Sequence, residues 1–136
     1  MNGETAYGVG EALRQQSWQG NDDYAKLATE AMKWFERAII LNPFDPYPPL
    51  RYGMCLDWLD KHGQAVAYYE RARRADPNNY YILAHLGWHY VQSGDHAAAR
   101  KWFTQSLKVK PLDNSIAQSY MEILNARSGV LQSDHK

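Results

Sequence analysis

A chain of 136 residues with 45% hydrophobic and 22% charged residues has the composition of a compact domain that buries its own core. Its 15 basic and 15 acidic residues cancel, which excludes the clustered positive field of a nucleic-acid binder or a polybasic membrane anchor. No apolar run approaches a membrane span, the polar front end lacks a signal-peptide core, and the single cysteine, Cys55, rules out an internal disulfide. The expected location is therefore cytoplasmic, with no nucleic-acid partner and no direct membrane insertion.

In chain order, a short helix is expected over roughly Thr5–Ser17, softened by Gly3, Gly8 and Gly10, with Trp18 packing back on it. Asn21-Asp22-Asp23 is a start signal for a long second helix through Leu41. Four prolines then crowd Pro43-Phe-Asp-Pro46-Tyr-Pro48-Pro49. Because proline fits only the first turn of a helix, the third helix is expected from about Pro48 to Asp60. Small and aromatic residues through Ala65–Ala75 repeat at the spacing of one helix face, and Asp76-Pro77-Asn78-Asn79 stops that helix. Tyr80–Gln92 forms the next. Ser93-Gly94-Asp95 supplies a turn and a cap for His96–Val109. Asp113-Asn114-Ser115 caps a last helix over Ile116–Arg127, and residues 128–136 are expected to be a flexible tail. No strand signal is present, so the fold class is all-α with seven helices.

Superimposed on these elements is a period. Pro43, Pro77 and Pro111 stand 34 residues apart. Ala31, Ala65 and Ala99 keep the same step, as do Trp34-Phe35, Tyr68-Tyr69 and Trp102-Phe103, and Ala38, Ala72 and Ser106. Tyr52-Gly53-x-x-Leu56 is echoed by Leu86-Gly87-x-x-Tyr90. Such self-similarity means stacked helical hairpins. In this pattern Gly53 and Gly87 let paired helices approach closely, with Tyr69 and Phe103 filling the adjacent gap.

The set resembles the tetratricopeptide repeat, over about residues 12–127. The resemblance implies a right-handed superhelical stack of antiparallel helix pairs in one domain over 1–127. Repeat 1 would span about 5–43 and be irregular, since only its second helix fits through Ala31, Phe35, Ala38 and Pro43. Repeat 2 would span about 46–79, repeat 3 about 80–113, and a capping helix about 114–127, with Met121 at the glycine position.

The resemblance also implies a concave groove lined by the first helix of each pair. Carried onto this chain, its partner-binding residues are Leu50, Arg51, Met54, Asp57 and Trp58 from repeat 2. Repeat 3 gives Tyr81, Ala84, His85, Trp88, Val91 and Gln92, and the last helix gives Gln118 and Glu122, with Tyr47, Ser115, Ser119 and Asn125 at further groove positions. Trp58 and Trp88 lie off the core positions, where aromatic side chains suit recognition, although each could equally pack against a neighbouring helix. The lysine and asparagine clamp with which some relatives hold a terminal carboxylate is replaced here by Gln16, Gly20, Arg51, Tyr81 and His85. Chaperone-tail binding is thus rejected; of these residues only Arg51 and His85 have the chemistry to meet a carboxylate, and a single carboxylate anchored by Arg51 stays open as an alternative.

No catalytic, cofactor or metal site is expected. His85 and His89 lie four apart on one helix but have no third ligand at helix spacing, so they read as structural. Cys55 reads as a small buried residue, and Arg71, Arg73 and Arg74 as a solvated outer face. The expected function is a non-enzymatic interaction module holding a peptide or helix of a protein partner. The alternative is a soluble appendage of a larger, membrane-anchored bacterial glycan-assembly enzyme, because Arg51–Leu59 resembles segments in the helical tails of O-antigen-type ligases. Self-association through the uncapped front helix is a third reading.

Overall fold

The computed structural model describes residues 1–20 and 22–134, with side chains described up to residue 127. Seven helices occur among them: α1 (Gly3–Trp18), α2 (Tyr24–Leu41), α3 (Tyr47–Trp58), α4 (His62–Ala75), α5 (Tyr80–Gln92), α6 (His96–Val109) and α7 (Ser115–Asp134). None of the described helices is long and apolar enough to cross a membrane. The chain divides into two compact units, Met1–Pro77 and Asn78–Lys136.

The helix ends follow from local chemistry. Asn42, Asp76 and Lys110 each precede a proline, and each takes an extended backbone with φ of −143°, −148° and −138°. Clash with the proline ring denies the preceding residue helical geometry, so the helix must stop there. Each of the three still donates its N–H to the carbonyl four residues back, on Ala38, Ala72 and Ser106. The 34-residue step in sequence is therefore a step in backbone geometry as well.

Caps complete the starts. Asn79 accepts from the N–H groups of Tyr81 and Ile82 at 3.0 and 3.3 Å, Asp95 from Ala98 at 3.1 Å, and Asn2 from Thr5 at 2.8 Å. Each satisfies backbone donors that have no partner inside the helix. Helix α3 begins at Tyr47, one residue before the expected Pro48, because Asp45 Oδ1 takes the Tyr47 N–H at 3.0 Å and Pro48 still falls within the first turn. It ends at Trp58 rather than Asp60, whose φ of 64° lies in the left-handed region. Helix α7 continues past Arg127 to Asp134, where a tail was expected, and residues 135 and 136 of that tail lie outside the described residues.

In the first unit α1 packs on α2, α2 on α3 and α3 on α4; in the second α5 packs on α6, and α7 on both. The closest crossings are set by glycine. A Cβ built at Gly53 would lie 2.9 Å from the Tyr69 ring, and one at Gly87 would lie 2.6 Å from the Phe103 ring. Both rings are fully buried, so neither has room to retreat.

The irregular first repeat has the same crossing. A Cβ at Gly10 would lie 2.7 Å from the buried Phe35 ring. Glycine and ring are separated by 25 residues there (35 − 10), against 16 in the later pairs (69 − 53 and 103 − 87). Helix α1 has 16 residues where α3 has 12 and α5 has 13, and a longer connection follows it. The insertion moved the glycine out of phase without removing it.

Gly87→Ala should lower the free energy of unfolding by about 1–3 kcal/mol in urea titrations. Gly8→Ala, where an added Cβ meets no neighbour within 4 Å, should raise it by roughly 0.5–1 kcal/mol. Equal responses at the two sites would contradict the crossing.

Candidate functional site

The residues expected to face a partner separate into two groups once their environments are compared. In the first unit α3 carries five of them. Leu50 and Met54 are 0% and 3% exposed and belong to the core, so neither offers a partner any surface. Asp57 is buried as well, and both of its oxygens are engaged: Oδ2 accepts from the Tyr69 hydroxyl at 2.8 Å, and Oδ1 lies 2.7 Å from His62 Nδ1. It joins α3 to α4. A carboxylate bonded from two sides in the interior is there for the fold.

Arg51 is drawn into an ion cluster built with α1. Its Nε–H donates to the Tyr7 hydroxyl at 3.2 Å and lies 3.3 Å from Glu11 Oε1. Glu11 is also gripped by Arg14, whose Nε and terminal nitrogen meet its two oxygens, the latter at 3.0 Å. Burial would raise the Glu11 carboxyl, but the Arg14 hydrogen bonds and the charges of Arg51 and Arg14 outweigh it and hold the group below its ordinary value. A single carboxylate thus already answers the Arg51 guanidinium from within the chain, which corrects the expectation of an anchor waiting for a ligand.

Trp58 is taken up in the same way. Its indole N–H donates to Ser17 Oγ at 2.9 Å, while the Ser17 hydroxyl donates to the Tyr24 carbonyl at 2.6 Å. Its ring lies 5.3 Å from Trp18 and edge-on to Tyr24 at 5.9 Å. The cluster ties the end of α1, the start of α2 and the end of α3 together, and Trp58 stays only half-buried.

The second unit keeps more of its expected face open. Tyr81 and Ala84 of α5 line a cleft of about 140 Å³ with Tyr80, and Asp113, Asn114, Ser115 and Ile116 form its opposite wall at the start of α7. Asn114 shapes that wall from beneath: buried, it donates to Ser106 Oγ at 2.9 Å and to the Lys110 carbonyl at 3.1 Å. Asp113, at φ 57°, turns the chain sharply into α7. Trp88 and Val91 are half-buried, packed against the cluster of Ala84, Ala99, Phe103, Ala117 and Leu124. Gln92 and Glu122 are exposed, while Gln118 donates to the Pro111 carbonyl at 3.3 Å. Asn125 accepts from Arg100 of α6 at 2.5 Å.

His85 and His89 are both buried. His85 Nδ1 lies 2.8 Å from the Tyr81 carbonyl. A carbonyl oxygen only accepts, so that nitrogen carries the proton and serves the helix. No group of three metal-ligating side chains occurs among the described residues. Cys55 is fully buried, and its thiol is pushed up to about 12 by that burial, so no thiolate forms near neutrality.

Residues 59–114 match the family model for the tetratricopeptide repeat. Residues 59–114 are thus tetratricopeptide repeat in sequence, and the seven helices among the described residues, with their three glycine–aromatic crossings, fit the same architecture. Tetratricopeptide repeat protein 1 of Schizosaccharomyces pombe is 33% identical over 61 residues, which is 44% of this chain and 6% of that protein. The chain thus spans a small part of that relative.

Among solved structures, a tetratricopeptide repeat protein of Thermus thermophilus superimposes with a TM-score of 0.79 at 20% identity, covering 88% of this chain and 62% of that one. YrrB, described as having an unusual peptide-binding site, gives 0.73 at 21%, covering 90% and 58%. The Yersinia enterocolitica chaperone SycD, solved in complex with a peptide of the translocator YopD, gives 0.66 at 17%, covering 87% and 93%. At these identities the likeness concerns the fold.

The family pattern pointed to the inward side of each first helix. It missed the partners that α1 supplies to α3, because Tyr7, Glu11 and Arg14 lie in the out-of-phase segment. The charge alternation of Glu11 and Arg14, three apart on a helix, was the one local sign of that cluster.

Glu11→Ala should cost about 1–3 kcal/mol in chemical denaturation, because it leaves two guanidinium groups without their shared carboxylate. The Glu11 contribution should be present above the ordinary carboxyl range and be lost as pH falls through its depressed value. A Glu11→Ala loss unchanged down to strongly acid pH would refute the cluster.

Proposed function

We propose that this protein is a non-catalytic interaction module that holds an extended peptide segment of a protein partner on the α5–α7 face of its second unit. The observation that carries the reading is the cleft between Tyr81 and Ala84 on one side and Asn114, Ser115 and Ile116 on the other. It is open, bordered by aromatic rings and apolar carbons, and has room for one aliphatic side chain. Tyr80, Tyr81 and Ser115 are among its lining residues, and each carries a hydroxyl of the kind that meets a peptide backbone. Trp88, Val91 and Gln92, further along α5, extend the same face, and Gln118 and Glu122 extend it along α7.

The fold likeness to SycD, solved with a translocator peptide, supports the reading, because the same architecture there carries a peptide ligand. The chemistry of the reactive side chains supports the absence of catalysis. Cys55 is a buried, protonated thiol, and both buried histidines lie within the helix core. In the first unit Leu50, Arg51, Met54, Asp57 and Trp58 serve the fold, so recognition falls to the second unit.

The test is a peptide library selected on the full chain, followed by titration of the selected peptides against variants. Tyr81→Ala and Ile116→Glu should weaken binding at least about tenfold with unchanged helical content, since each alters a wall of a central pocket. Lys33→Ala, at an exposed position of α2, should bind as the parent does. If both cleft variants bind normally, the face is not the site.

A further inference from the structure

The turn between α3 and α4 and the turn between α5 and α6 are the same backbone structure with different chemistry. After α3, Leu59, Asp60 and Lys61 donate their N–H groups to the carbonyls of Cys55, Asp57 and Leu56 at 3.0, 3.0 and 2.8 Å. After α5, Ser93, Gly94 and Asp95 donate to His89, Val91 and Tyr90 at 3.0, 3.2 and 2.9 Å. The residue that enters the left-handed region is Gly94 in the second turn, with φ 84°, and Asp60 in the first, with φ 64°. Glycine takes that conformation freely, whereas a side-chain-bearing residue needs compensation.

The compensation is His62. Its Nδ1 lies 2.7 Å from Asp57 Oδ1 and its Nε2 lies 2.8 Å from Asp60 Oδ1. An ionised carboxylate oxygen only accepts, so both ring nitrogens must carry protons for both bonds to form. That is the imidazolium. In the second unit Val91 and Phe103 stand where Asp57 and Tyr69 stand in the first, so this polar clasp belongs to the first unit alone.

We propose that His62, doubly protonated between Asp57 and Asp60, is a proton-operated clasp on the α3–α4 hairpin that releases as pH rises. The groups that face it are identified by element. From α3 comes the buried Asp57 carboxylate, and from the turn comes Asp60. From α4 the Tyr69 phenol shares Asp57, and from α1 the charge of Arg14 reaches Tyr69. The ring also sits in the first turn of α4, where the positive end of the helix opposes a cation. The two carboxylates overcome that opposition. The Asp57 hydrogen bond, then the bond to Asp60 and both carboxylate charges, raise the His62 ring above its ordinary 6.5 despite partial burial.

The sign follows. With its folded value above its unfolded one, His62 contributes its full stability below about pH 6.5 and loses it as pH rises through the raised value. Release would be transmitted locally, because Asp57 adjoins Trp58, whose indole anchors the ends of α1 and α2.

Proton-detected titration of the His62 ring and thermal unfolding, both on the full chain, test the clasp. The ring midpoint should lie above 6.5 in the parent and fall in Asp60→Gly, a variant that keeps the turn in the form Gly94 already shows. His62→Gln should lower Tm by ~2–4 °C near pH 6 relative to the parent, and the gap should close near pH 9. A ring midpoint at or below the ordinary value, a midpoint unmoved by Asp60→Gly, or a gap that persists unchanged at high pH would each overturn the proposal.

Discussion

Three glycines, each pressed by a buried aromatic ring, set the spacing on which the rest of this molecule depends. Gly10 meets Phe35, Gly53 meets Tyr69 and Gly87 meets Phe103, at distances that leave no space for a methyl group. The absent side chain lets the second helix of a pair lie close to the first. Ala31, Ala65 and Ala99 then keep the remainder of each contact small, and all are fully buried. Because dispersion attraction falls steeply with separation, a hairpin held this close gains many atomic contacts that a looser one would forfeit. The pre-proline residues Asn42, Asp76 and Lys110 end each second helix at the same point, so successive pairs begin from equivalent geometry.

Most of this was legible in the sequence wherever the period was intact. Helices α5 and α6 were placed to the residue, because Asn79, Gly94, Asp95 and Pro111 are strong local punctuation. The start of α3 was displaced by one residue, since Asp45 caps Tyr47 and the proline cluster marked the region but could not show which backbone N–H was met. The first crossing was missed for a different reason. Gly10 sits nine residues out of phase with Gly53 and Gly87 (25 − 16), so a search at one step passed over it. Steric demand is local, and it survives an insertion that destroys a numerical repeat.

The candidate site was less legible than the fold. A repeat pattern assigns a residue to a face of a helix, but it cannot say whether another part of the chain has already claimed that face. Arg51 is shared with Glu11 and Tyr7, Asp57 with Tyr69 and His62, and Trp58 with Ser17, Trp18 and Tyr24. Each belongs to a chemical type favoured in recognition, and each satisfies a demand of the interior. In the second unit the corresponding face is walled by the first turn of α7, and a cleft remains.

The two units therefore answer the same steric problem with different chemistry. The second unit uses Val91, Phe103 and Gly94, side chains that neither titrate nor need partners, so its face can be given over to a ligand without disturbing the turn beneath it. The first unit puts Asp57, Tyr69 and Asp60 at the same places and must neutralise a buried carboxylate to do so. Breaking a buried polar network on one side costs more than never building it, because the remaining partners stay desolvated. On the proposed reading, a unit built that way gains specificity of its own fold and would respond to protons, whereas an apolar unit gains neither and would keep its surface free. The proposed recognition in one half and responsiveness in the other both trace to which residues occupy one repeated turn.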